Sequence, residues 1–139
     1  MCGIFGVVSP DVVSRDDVDT LVRHSLQRGA DSSGLVYWED GRYRTVRADY
    51  PLPRLAKDLK GLHSRIVMGH SRLITNGLTD NQPVVRDGVC VLHNGIVVNH
   101  EAIWEKLGED RRLQIDTEAI AAIAVQHLRR GEPLESLAV

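Results

Sequence analysis

Apolar positions along the chain fall into two periods. Residues 4–8 form a short apolar run that stops at Ser9-Pro10 and reads as a buried strand. Behind the capping-box sequence Ser14-Arg15-Asp16-Asp17, the residues Val18, Leu21, Val22, Ser25 and Leu26 recur at helical spacing, with Gly29 just past the end. Residues 35–38 and 43–47 read as two strands joined by a turn at Asp40-Gly41. Residues 51–62 are ambiguous: two prolines open the segment, and a short helix could follow. Residues 66–70 read as another strand, and residues 75–83 as a polar loop carrying Asn76-Gly77 and Gln82-Pro83. Apolar residues at 84–85 and 89–92 flank a turn at Asp87-Gly88.

Asn94-Gly95 and the apolar residues 96–98 come next, and Asn99 is placed to cap a short helix with Ile103, Trp104 and Leu107 inward and Gly108 at its end. Asp116 could cap a longer helix with Ile120, Ile123, Ala124, His127 and Leu128 on one face, closed by Arg129-Arg130-Gly131. Residues 132–139 begin an element that is not completed. Hairpins dominate the middle and helices cluster early and late, which favours α+β with antiparallel sheets over a doubly wound parallel sheet.

Composition narrows the class. A chain of 139 residues, 42% apolar and 26% charged, has the make-up of one soluble globular domain with a real core. A net charge of −2 offers no basic field for nucleic acid, and Arg111-Arg112 and Arg129-Arg130 read as solvated helix ends. No apolar run approaches the roughly 20 residues of a membrane span, and the start of the chain lacks the pattern of a secretory signal. Cys2 and Cys90 have no metal-ligand spacing and read as free thiols in a cytoplasmic protein. The histidines at 63, 70, 93 and 100 lack the companions of a zinc motif, so no metal or cofactor is expected.

The candidate chemistry starts at Cys2. Enzymes that trim the initiator Met accept small second residues, so Cys2 could become the N-terminus. Its α-amine, with an ordinary pKa of about 7.7–8.0, would then stand beside its own thiol, at about 8.5, as a built-in base. Alone, such a cysteine reads as a small apolar residue opening a strand. Asn94-Gly95 alone reads as a hairpin turn. Its functional reading is an oxyanion hole made from the Asn side-chain amide and the Gly backbone N–H. Arg72 could clamp a carboxylate or simply form a surface ion pair, and Asp116 could hold an ammonium group or simply cap its helix.

Order and spacing combine these signals. Met1-Cys2-Gly3-Ile4-Phe5-Gly6, Gln27-Arg28-Gly29-Ala30-Asp31-Ser32-Ser33-Gly34, Gly69-His70-Ser71-Arg72-Leu73, His93-Asn94-Gly95 and Asp116-Thr117-Glu118 together closely resemble the class II glutamine amidotransferases, which are N-terminal nucleophile hydrolases. The resemblance runs from the first residue to about Ala124. It implies a four-layer αββα sandwich with two antiparallel sheets. It also implies Cys2 as nucleophile with its α-amine as base, and Asn94 and Gly95 as the oxyanion hole. Arg72 would hold the glutamine α-carboxylate and Asp116 its α-ammonium. Arg28 and Gly29 would lie beside the nucleophile, and Thr75 and Asn76 would belong to the loop that closes over glutamine, where some members carry His in place of Asn76.

The implied reaction releases ammonia from glutamine through a Cys2 thioester, without metal or organic cofactor. A downstream synthase domain or a separate synthase subunit would then aminate an acceptor, with a sugar or polysaccharide precursor as one candidate. Leu73, Gln82-Pro83 and Asn99-His100 lean towards the asparagine-synthetase-like branch, whereas Gly69-His70-Ser71-Arg72 and His93-Asn94-Gly95 suit sugar and ribosyl amidotransferases as well. Two alternatives stay open: a different N-terminal Cys amidase or acylase, and a catalytically idle binding module of the same fold. Residues 1–139 are expected to form a single glutaminase domain that is incomplete at its C-terminus. Only about half a dozen strands are predicted, so a further segment, a partner or a second copy would complete the sheets.

Overall fold

The computed structural model describes residues 2–58, 61–73 and 80–138. Four strands, β1 (Gly3–Val8), β2 (Ser32–Glu39), β3 (Arg42–Ala48) and β4 (Ile66–Arg72), form one antiparallel sheet in the order β1-β4-β2-β3. Helices α1 (Arg15–Leu26) and α2 (Leu52–Asp58) pack on it. Strands β5 (Val84–Arg86) and β6 (Val89–Val91) make a separate antiparallel pair, on which α4 (Thr117–Arg129) lies with α3 (His100–Leu107) beside it. A 3-10 turn, Leu134–Ala138, closes the described chain where the unfinished element was expected. The molecule is therefore a small α+β domain with antiparallel sheets.

Local chemistry explains most of these elements. The Ser14 hydroxyl accepts the Asp17 backbone N–H at 3.1 Å and donates to the Asp17 carboxylate at 2.7 Å, so the capping box forms as the sequence predicts. The turns Asp40-Gly41 and Asp87-Gly88 both place two successive residues at positive φ, which matches the twist of the hairpins they close. Phe5, Val18, Val22, Leu35, Leu52, Leu55 and Val67 form the main core between the sheet and α1 and α2. At about 1.5–3 kcal/mol for each large apolar side chain removed from water, this cluster is the chief source of stability.

Two readings of the apolar pattern need correction. β1 is not buried throughout: Phe5 is in the core, but Ile4 and Val8 are 41% and 72% exposed. The helices cover only one face of the sheet, and the strand's alternation sends every second residue to the other. On that other face Val8, Ile66, Trp38 and Tyr43 follow one another across all four strands, and Val8, Trp38 and Tyr43 are exposed. The buried face of α4 also differs from the predicted one. Thr117, Glu118, Ala119, Ala121, Ala122, Ala124 and Val125 are buried, while Leu128 is exposed and Ile120 and Ile123 are only half-buried. Small side chains let the helix approach Val84, Ile115 and Trp104 closely, and the bulky ones turn outward.

Candidate active site

The strand register brings the first motif to the third. Gly3 pairs with Ser71, so Cys2, one residue beyond the ladder, comes opposite Arg72 and on the same face of the sheet. β4 runs two residues past the predicted 66–70 strand and so carries Ser71 and Arg72 on the sheet itself. The Cys2 backbone nitrogen donates to Asn94 Oδ1 at 3.1 Å, and the thiol makes a long contact of 3.7 Å with the Leu73 carbonyl. With Oδ1 so engaged, the two N–H bonds of Asn94 Nδ2 are left to donate elsewhere.

Asn94-Gly95 is not a hairpin turn. β6 ends at Val91, and no strand follows before α3 among the described residues. The Asn94 side chain bonds across the molecule to Cys2, and the segment after Gly95 is held by Asp116, whose Oδ2 accepts the Val97 N–H at 2.7 Å. That contact also explains why Asp116, although at the N-cap position of α4, makes no side-chain capping bond. Asn99 likewise occupies the N-cap position of α3 without a side-chain cap.

Arg28 comes close to Cys2, and Gly29 lies against the end of β4. Arg28, His24 and Asn94 line a cleft of about 320 Å³ together with Cys2. Gly29 is required by close approach: a Cβ there would stand 2.5 Å from the Arg72 carbonyl carbon and the Leu73 nitrogen. The Ser71 hydroxyl donates to the Gly29 carbonyl, and the Asp31 N–H donates to the Arg72 carbonyl at 2.9 Å, so this loop is stitched to the end of β4.

Arg72 is buried, and its Nη1 donates to the Asp80 carbonyl. It lines a second cleft of about 580 Å³ with Ser32, Arg47, Asp49, Asp80 and Arg112. The structure thus joins Cys2 and Asn94 directly, places Arg28 in the cleft they line, and sets Arg72 opposite Cys2 by register with Gly29 packed against its backbone. It links Asp116 to the group through the loop that follows Gly95. Thr75 and Asn76 lie outside the described residues.

The surroundings hold several buried polar groups that periodicity does not mark. His70 is fully buried on the Arg72 side of the sheet, and neither ring nitrogen has a hydrogen-bond partner among the described residues. Burial, reinforced by the nearby Arg72 and His93, pushes its pKa down from 6.5 to about 4, so the ring is neutral at pH 7. Burial also raises the pKa of the Cys90 thiol, in β6. Buried Arg86 pairs with Glu118 at 2.7 Å and with Glu109 at 2.9 Å. Glu118 also accepts the backbone N–H groups of Arg112 and Leu113. Arg111, Arg112, Arg129 and Arg130 are exposed, as expected of solvated positions, and three of them also form surface ion pairs, Arg112 and Arg129 with Asp87 and Arg111 with Glu101.

No protein-family profile matches the chain. It is 36% identical over 98% of its length to a glutamine–fructose-6-phosphate aminotransferase (isomerizing) of Mesorhizobium japonicum. Proteins of the same name from Brucella abortus and Xylella fastidiosa are 35% and 34% identical over 99% and 96% of the chain. The chain belongs to the class II glutamine amidotransferases. It spans about a quarter of the length of these curated relatives, 24% for the first of them. In this family member all five motifs stand in order, and two that lie 92 residues apart in sequence, around Cys2 and Asn94, touch. Among the described residues no helix is long and apolar enough to cross a membrane.

Proposed function

We propose that this domain hydrolyses the side-chain amide of glutamine through Cys2 and supplies the ammonia to a synthase. The hydrogen bond between the Cys2 nitrogen and Asn94 Oδ1 carries the reading. Once Met1 is removed, that nitrogen is an α-amine, and Asn94 holds one of its hydrogens so that the lone pair is free to face the thiol. The amine takes the thiol proton, the thiolate attacks the amide carbon, and negative charge develops on the carbonyl oxygen. Asn94 Nδ2 and the Gly95 N–H are the donors for that oxygen. The protonated amine then gives its proton to the leaving nitrogen, ammonia departs, and a γ-glutamyl thioester remains. Water, deprotonated by the same amine, attacks the thioester and releases glutamate and the Cys2 thiol.

Arg72 and Asp116 are the groups for the α-carboxylate and α-ammonium of glutamine. Asp80 and Val97, which meet them here through backbone atoms, position them. Thr75 and Asn76 would close over the substrate. The relatives' name makes fructose 6-phosphate, and sugar phosphates generally, the first acceptor class to test. The length of those relatives, about four times that of this chain, supports a synthase domain in the same polypeptide or a separate synthase subunit. The four-layer αββα arrangement belongs to the same reading. α1 and α2 lie on one sheet and α4 on the other pair of strands, and the apolar row of Val8, Ile66, Trp38 and Tyr43 is a surface on which further sheet would pack.

A glutamine analogue bearing an electrophilic ketone tests the site. It should label Cys2 and leave Cys90 unmodified, because burial keeps the Cys90 thiol protonated. Intact mass should show Met1 removed. Equal labelling of both thiols, or undiminished glutamate release by Cys2→Ala, would overturn the assignment.

A further inference from the structure

Gln82 stands outside the five motifs, and the sequence marks it only as part of a Gln-Pro turn. In the structure it is 5% exposed and every polar atom of its side chain is engaged. Oε1 accepts the His93 backbone N–H at 2.6 Å, and Nε2 donates to the His93 carbonyl at 2.9 Å. The amide thus grips both backbone polar groups of the residue immediately before Asn94, as a neighbouring strand would. The second hydrogen of Nε2 reaches Thr117 Oγ1 at 3.1 Å, the first residue of α4 and the neighbour of Asp116.

The backbone that carries Gln82 is fixed to the other half of the site. Asn81 Nδ2 donates to the carbonyls of Ser33 and Ala48 at 2.9 and 3.0 Å, and Arg47 Nε donates to the Pro83 carbonyl at 2.6 Å. Gly34 leaves room for this contact, since a Cβ there would stand 1.8 Å from the Gln82 carbonyl oxygen. Residues 81–83 are therefore bolted to β2 and β3, in the sheet that carries Cys2 and Arg72. Gln82 alone among these residues bonds both to the segment bearing Asn94 and to the start of α4.

We propose that Gln82 is a positioning residue for the oxyanion hole: through His93 it sets the distance and angle of Asn94 and Gly95 to Cys2, and through Thr117 it ties that setting to Asp116. The proposal rests on the glutaminase reading. Hydrogen-bond donors for a developing oxyanion act only if they are in place beforehand, and a displacement of about 1 Å can cost on the order of 100-fold in rate. A glutamate at this position would keep the acceptor for the His93 N–H but turn a carboxylate oxygen toward the His93 carbonyl. Methionine would fill the space and remove all three bonds.

The test is steady-state glutaminase kinetics on the full-length protein carrying Gln82→Glu, Gln82→Met or Thr117→Val, with iodoacetamide alkylation of Cys2 as a second readout. Alkylation needs the thiol and its base but no oxyanion donor. Both Gln82 variants should lose about 10- to 100-fold in kcat, with glutamine KM changed less than about 3-fold and Cys2 alkylation slowed less than about 3-fold, since Asn94 also orients the α-amine. Thr117→Val removes one bond of three and should lose about 3- to 10-fold in kcat, which keeps the idea testable if a Gln82 variant fails to fold. A kcat within 2-fold of wild type in a folded Gln82 variant or in Thr117→Val overturns the proposal, as does a loss of alkylation in step with kcat. A wild-type protein that released no glutamate would instead sink the glutaminase reading itself.

Discussion

The Asn94 side chain has two ends. Its carbonyl oxygen accepts the Cys2 N–H at 3.1 Å, and in the proposed reaction its amide nitrogen donates to the substrate oxygen. An oxyanion donor acts mainly in the transition state, so Asn94→Ala should lower kcat by about 100- to 1,000-fold while glutamine KM moves little. Arg72→Ala should do the reverse and raise KM sharply, because it is assigned to ground-state binding of the α-carboxylate. Initial-rate measurements on both variants separate the two roles. Loss of folded protein in Asn94→Ala, seen by circular dichroism, would make a purely structural role the better account. The Asn-Gly pair had two readings in the sequence, and only the position of its side chain, on a nitrogen 92 residues away, separates them.

At the scale of elements, α4 depends on one buried carboxylate. Glu118 takes Arg86 Nη1 and two backbone N–H groups of the segment before the helix, with both side chains of the ion pair almost wholly buried. Removing one partner leaves the other charge desolvated and unpaired, which typically costs about 3–5 kcal/mol. Glu118→Ala should therefore lower the urea midpoint by that equivalent. Glu118→Gln, which retains an oxygen acceptor, should lose less. Equal midpoints for Glu118→Ala and wild type would show that the pair contributes nothing. The sequence placed Glu118 in a helix but gave no sign of its burial, since a charged residue in the first turn is ordinarily solvated and favoured there by the helix dipole.

For the whole molecule, His70 links stability to pH. Its folded pKa of about 4 lies below the ordinary 6.5, so the unfolded chain binds the proton more readily. The neutral ring's contribution is complete above pH 6.5 and is lost progressively as pH falls towards 4. The loss amounts to about 3 kcal/mol at the acid end. Chemical denaturation of wild type and His70→Gln between pH 7 and pH 4 should show the wild type falling more steeply. Parallel curves would remove His70 from the account of acid sensitivity. The same buried ring stands near Arg72 only as a neutral group at pH 7.

Local chemistry determined a good deal of this protein. The capped first helix, the two Asp-Gly hairpins, the strands around Leu35 and Met68 and the antiparallel α+β class follow from short-range periodicity and turn preferences, which act within a few residues. The five ordered motifs likewise named the family. Tertiary structure decided what no local pattern encodes. It set which faces of β1 and α4 meet the core, because that depends on what packs opposite. It also set the destination of polar side chains such as Asn94, Asp116, Glu118 and Gln82. A side-chain amide or carboxylate serves a turn, a cap or a distant backbone group with equal chemical competence, and only the folded chain brings one of those partners within 3 Å. Gln82 is the clearest case: in sequence it is half of a turn signal, and in the fold its side chain ties the residue before Asn94 to the start of α4.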